Sequence, residues 1–216
     1  MIRTAVTIIT LLFVMLLCSC ATTLKIPKDP RFFQGNTYYA EELENGKYLV
    51  GIDATSNEKW SYWDIDQDSL VEVAEPKNNK DWDLAFQRFK IKINGGGSGS
   101  SGVQITLIKN TDFEQAKVTD NFLWRRDESI GLNQVKYAFA EEGDWFVYDF
   151  FTHMLEPRDQ FYLLRSSENI IYKLKMLTYY DRLLISGFPT FQYSLVEYIN
   201  SCIKYSISYF TYFVLF

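Results

Sequence analysis

Apolar and polar residues alternate along most of this chain with a period of two. Tyr48, Val50 and Ile52 share one parity within Lys47 to Ala54, the spacing of a strand with one face in a core. Trp60 to Ile65 is a second, aromatic strand, and Leu70 to Ala74 a third with Val71 and Val73 inward. Pro76-Lys77-Asn78-Asn79 reads as a turn. Phe89, Ile91 and Ile93 alternate with Lys90 and Lys92, whereas Leu84 and Phe86 sit on the opposite parity. A bulge or a change of partner near Phe86 to Arg88 is therefore expected inside one long strand. Gly95 to Gly102 is nearly free of side chains and reads as a mobile hairpin loop before Val103, Ile105 and Leu107.

Further along, Asn133 to Ala140 and Trp145 to Phe150 read as strands around the turn Glu141-Glu142-Gly143-Asp144. Phe161 to Arg165 and Ile170 to Tyr180 form a hairpin across Ser166-Ser167-Glu168-Asn169. Tyr172, Leu174 and Met176 share its inner face, and Phe191, Tyr193 and Leu195 make the last strand. Many short strands with no long amphipathic helix predict an antiparallel all-β domain over residues 46–195.

The two termini break this pattern. Arg3 precedes an apolar run from Ala5 to Leu17, too short for a comfortable membrane span. Leu17-Cys18-Ser19-Cys20-Ala21 resembles a bacterial lipobox with Cys20 as the lipidated residue; a plain secretory signal is the other reading. Residues 1–19 are thus expected to be a signal peptide and 20–45 a tether, with Tyr38-Tyr39 adding a local turn. Ala21 is not aspartate, so the usual inner-membrane retention signal is missing and an outer-membrane, surface location is expected. With Cys18 removed and Cys20 acylated, Cys202 has no partner for a disulfide. The apolar tail 196–216 carries Lys204 as its single charge. It reads either as an added edge strand or as the product of a slipped reading frame.

Composition narrows the chemistry. The chain has 216 residues, 17% of them aromatic, and a net charge of −5. That balance argues against nucleic acid as a partner. His153 is the sole histidine. No Gly-x-Ser-x-Gly elbow is present, and the glycine loop lacks the Gly-Lys-Ser/Thr ending of a phosphate loop. No constellation supports a reaction class, so an enzyme is not expected. Arg125-Arg126 and Lys173/Lys175 read as solvated surface, and Trp60, Trp63 and Trp82 as core. Asp81 and Asp83 flank Trp82 and suit capping or turn bonding better than acid–base work.

Asp81-Trp82-Asp83-Leu84-Ala85-Phe86-Gln87-Arg88, followed by an alternating strand and Asn94-Gly95-Gly96, resembles the HmuY-like haem-binding lipoproteins. Trp60-Ser61-Tyr62-Trp63, Thr152-His153-Met154-Leu155-Glu156-Pro157 and Phe161-Tyr162-Leu163-Leu164-Arg165 follow the same order and spacing. The likeness covers roughly residues 46–194. It implies haem as cofactor and cargo, binding without catalysis in iron acquisition, a lipid anchor, and an outer-membrane haem receptor as partner. The family's known ligand positions do not carry over. No insertion between Gly131 and Trp145 supplies a histidine, and the position five after Trp145 is Phe150. Haem iron takes His, Met, Cys or Tyr as axial ligand, which leaves His153 as the candidate and Met176 as a second. The alternative is a non-haem adhesion or ligand-binding module on the same fold.

Overall fold

The computed structural model describes residues 38–116, 122–132 and 134–196. The signal and lipobox with Cys20, Cys202 and the tail beyond residue 196 lie outside these residues.

Fourteen strands occur among the described residues, all paired antiparallel. They are β1 (Tyr38–Leu43), β2 (Lys47–Ile52), β3 (Ser61–Asp64), β4 (Ser69–Val71), β5 (Leu84–Gln87), β6 (Lys90–Ile93) and β7 (Gln104–Ile108). Then come β8 (Glu128–Gly131), β9 (Gln134–Lys136), β10 (Phe146–Asp149), β11 (Met154–Pro157), β12 (Phe161–Arg165), β13 (Ile171–Tyr180) and β14 (Ser186–Leu195). One sheet has the order β1-β2-β14-β13-β12-β7 and a second the order β4-β3-β5-β6; β8-β9 and β10-β11 are separate ribbons. The all-β expectation holds. Tyr38-Tyr39, expected to add a local turn, instead open the edge strand β1, which pairs with β2.

The two larger sheets share a core. Val50 and Ile52 of β2, Leu174 and Met176 of β13, and Phe191 and Tyr193 of β14 meet Trp63, Leu84, Phe86, Ile91 and Ile93 of the other sheet. Phe86 stacks on Phe191 at 5.5 Å, with Trp63 edge-on to the same ring at 6.5 Å. Such aromatic pairs each contribute about 1 kcal/mol beyond their buried area. A smaller cluster of Tyr62, Trp82 and Ala85 covers the opposite face of the four-stranded sheet. That second layer explains why Leu84, Ala85 and Phe86 are all buried, a run that strict alternation does not predict. It also divides the third strand: Leu70 packs on the main core, and Val71 and Val73 on the smaller cluster.

Two expectations for the central stretch are corrected. The phase change is neither a bulge nor a change of partner. It is a hairpin: β5 and β6 pair from Leu84↔Ile93 to Gln87↔Lys90, leaving Arg88-Phe89 as the turn. Arg88 takes φ +52, and Phe89 leaves the core, 43% exposed. The glycine loop, in turn, is not a hairpin connection, because β6 and β7 belong to different sheets. It crosses between them in close contact with its surroundings. A Cβ on Gly96 would lie 2.0 Å from the Asp127 carbonyl oxygen, and one on Gly99 would lie 1.9 Å from Asn94 Oδ1. The Gly97 N–H donates to the same Asp127 carbonyl at 2.7 Å. Glycine is needed here for close approach.

Buried polar groups stitch these layers together. Asn94 Nδ2 donates to the carbonyls of Trp82 (2.8 Å) and Asn79 (2.9 Å). Asp127 accepts the N–H groups of Ile93 (3.1 Å) and Ala138 (2.8 Å). Asp83 accepts those of Ile65 (3.0 Å) and Ser167 (2.7 Å), joining the β3–β4 loop to the β12–β13 turn.

Candidate functional site

Three hairpin turns are pinned together by hydrogen bonds and ring contacts. Arg88 donates through Nη2 to Ser186 Oγ at 2.8 Å and through Nη1 to the Thr55 carbonyl at 3.1 Å. This ties the β5–β6 turn to the start of β14. Its guanidinium also lies 5.8 Å over the Tyr179 ring. Trp145 Nε1 donates to the Phe89 carbonyl at 2.9 Å, and Phe89 meets Phe146 edge-on at 5.6 Å, which brings in the β10–β11 ribbon. The Leu155 N–H donates to Tyr180 Oη at 2.8 Å, fixing β11 against the end of β13. Register shifts between Met176 and Tyr180 turn this part of β13 away from a regular ladder, as bulges beside binding sites commonly do.

What this region presents to solvent is apolar. Phe150 is 78% exposed and Phe151 98% exposed. Val147, Tyr148 and Phe89 are partly uncovered, as are Leu183, Leu184 and Ile185 in the β13–β14 loop. Monomeric proteins seldom leave so many large apolar side chains in water without a binding role.

His153 sits in the β10–β11 turn. Asp149 Oδ1 accepts the N–H groups of Phe151 (2.7 Å) and Thr152 (3.3 Å), which closes the turn. Those bonds hold the Asp149 carboxyl below its ordinary range. His153 follows at φ +57, a conformation uncommon outside glycine. Its imidazole turns back across the ribbon, so that Nδ1 lies 2.6 Å from Tyr148 Oη. Tyr148 in turn packs edge-on against Phe150 at 5.1 Å. Nε2 is the ring nitrogen left for another partner.

Met176, the second candidate, is 3% exposed and lies within the main core, paired in register with Phe191. His153 is on an exposed turn, so the two do not face a common slot. The adjacent Met154 begins β11 and is half-buried.

Other predicted residues have structural roles. Lys173 is not solvated: it is buried, with Nζ donating to the Phe113 carbonyl at 2.9 Å. Lys175 pairs with Asp159 at 2.8 Å. Arg125 pairs with Glu141 and, at 3.2 Å, with Glu142, while Arg126 is exposed. Lys92, placed on the water face by alternation, is buried. Its ammonium lies 4.3 Å from the Trp60 ring centre and 4.9 Å from that of Tyr62. Desolvation lowers its pKa to about 8. Asp64, Asp66 and Asp83 bring carboxylate oxygens within 4.8 Å of one another. Their oxygens accept backbone N–H groups and the Tyr172 hydroxyl, and so serve loop closure.

Two facing antiparallel sheets define a β-sandwich architecture, with a set of pinned hairpin turns that expose apolar side chains. The chain belongs to the HmuY protein family, whose model matches residues 56–193. Several solved structures share the fold. A Bacteroides fragilis protein assigned as a lipoprotein has 17% identity and a TM-score of 0.56, over 77% of this chain and 98% of that one. A Bacteroides vulgatus protein classed as HmuY-like and haem-binding has 14% identity and a TM-score of 0.54, over 76% and 99%. The apo form of a Tannerella forsythia HmuY analogue has 14% identity and a TM-score of 0.52, over 76% and 98%. No curated protein sequence matches the chain.

Sequence reasoning singled out His153 but missed Tyr148 and the Leu183-Leu184-Ile185 loop. A signal for the loop existed: three consecutive apolar residues between Asp181-Arg182 and Ser186-Gly187, where a hairpin turn is expected to be polar. Tyr148 had none, since its role depends on a backward turn of the chain at His153.

Proposed function

We propose that this protein is a surface lipoprotein that captures haem and passes it unchanged to an outer-membrane receptor. The observation that carries the reading is the placement of the one histidine on an apolar hairpin tip of a HmuY-family fold. Haem needs an axial ligand, an apolar face and cations for its propionates. His153 supplies the ligand nitrogen. Phe150, Phe151 and Val147 supply apolar surface, and the exposed Lys90 and Arg158 are cations on the neighbouring segments. Met176 stays in the core, so of the two candidates His153 is the one that would reach the iron. The relation to haem-binding neighbours supports this reading. Haem is cargo here, and the protein performs no reaction on it.

Titration of the purified protein with haem, followed by the Soret band, tests the proposal. A saturable shift that His153→Ala loses is expected. No shift in the wild type removes haem. The exposed aromatic tip would then favour a surface module that binds protein or glycan. Attachment through Cys20 is tested separately by fatty-acid labelling of the cells, with Cys20→Ser expected to lose both label and membrane association.

A further inference from the structure

We propose that Tyr148 is a positioning residue, which engages Nδ1 of His153 and so orients the imidazole with Nε2 offered to iron. The inference rests on the haem reading above and assigns a role to a residue that touches neither iron nor porphyrin.

The geometry is specific. Tyr148 and Asp149 stand opposite Leu155 and Met154 in the ribbon, so that the chain between Asp149 and Met154 must reverse within four residues. The Asp149 carboxylate and the left-handed backbone at His153 make that reversal, and they bring the imidazole to Tyr148. The phenol ring is itself held by the edge of Phe150. A rotating surface histidine can offer either ring nitrogen. Here Nδ1 is committed, and one nitrogen remains.

The choice of a tyrosine hydroxyl matters because it both donates and accepts. In the free protein the phenol can donate to Nδ1 while Nε2 carries the ring proton. Ligation needs the lone pair of Nε2, so the ring proton moves to Nδ1, with no net gain or loss. The Nδ1–H then donates to Oη, and the hydroxyl turns its own proton to solvent, which the half-uncovered Tyr148 can reach. The contact survives in both states. A hydrogen bond from the far ring nitrogen is the usual device for orienting a metal-ligating histidine, and its removal typically weakens metal affinity about 10- to 100-fold.

The test compares wild type, Tyr148→Phe and His153→Ala by haem titration and by ring-nitrogen NMR of the single histidine, with melting curves to confirm folding. In Tyr148→Phe, haem affinity is expected to fall about tenfold or more while the saturated Soret spectrum keeps its wild-type form. In the haem-free protein the same substitution should move the tautomer balance of His153 toward that of a solvent-exposed histidine. Wild-type affinity and an unchanged tautomer balance in Tyr148→Phe would overturn the proposal and leave haem binding standing. Loss of the wild-type Soret form in Tyr148→Phe would also overturn it, by making the phenol oxygen the ligand. No Soret shift in the wild type would overturn both readings.

Discussion

Two regions of this molecule invert the rule of polar outside and apolar inside, and they do so in opposite ways. Around Asp83, Asn94 and Asp127, carboxylates and an amide are fully enclosed, each with at least two hydrogen bonds. In the β10–β11 turn, two phenylalanines stand in water. The enclosed polar groups answer a local need, because backbone N–H groups of loops and strand ends would otherwise be buried without acceptors. The exposed rings answer no need of the fold. Unusual burial with every bond satisfied therefore marks construction, and unusual exposure marks interaction.

The comparison can be broken most severely at Asp127. Asp127→Ala removes the acceptor of two buried N–H groups and is expected to cost about 3 kcal/mol, read as a lowered denaturation midpoint with unchanged slope. A cost under about 0.5 kcal/mol would mean that the polar stitching is dispensable.

A pH series sharpens the same point. Burial raises the Asp83 pKa to about 7 and that of Asp127 to about 6. The folded state thus binds these protons more tightly than the unfolded chain. Their stabilising contribution is fully present below the ordinary carboxylate range and is lost as pH rises through 6 and 7. Asp83→Asn, which no longer titrates, should flatten the decline between the ordinary carboxylate range and about pH 7, although its amide meets one N–H donor and lowers stability overall. An equal decline in wild type and variant would rule out Asp83 as its source.

Lys92→Met addresses the third enclosed group. The depressed Lys92 pKa makes its contribution complete above the ordinary lysine value and lost as pH falls through about 8. The variant should lack the rise in stability above pH 8. At neutral pH it should match the wild type within about 1 kcal/mol, since removal of the desolvated charge offsets the lost cation–π contacts. The smallest effect is expected at the tip. Phe151→Ser should change stability by less than about 0.5 kcal/mol yet weaken haem binding in the titration. A large loss of stability there would place Phe151 with the core and not with the site.

Positions facing the main core were legible in the sequence. Tyr48, Val50 and Ile52, and likewise Tyr172, Leu174 and Met176, alternate as they pack, and the Ser166–Asn169 turn lies where the pattern stops. The Trp82-Asp83 segment and the order of aromatic strands carried the family likeness, and the family match covers that same region. Positions governed by a second layer were not legible. Lys92 alternates like a surface lysine because alternation reports which face a side chain takes, not what covers that face. Phe89 shares the parity of Ile91 and Ile93 although it lies in a turn, because pairing across a two-residue turn inverts the parity between the strands, as from Leu84 to Ile93.

The sequence by itself determined an antiparallel β protein, its strongest alternating strands and the identity of its one imidazole. These follow from local periodicity and composition, which act between near neighbours. Tertiary structure decided which sheet each strand joined, why the glycines were needed, and where His153 points. Those depend on contacts between residues far apart in the chain, such as Asp83 with Ser167 and Arg88 with Ser186, and no local pattern encodes them.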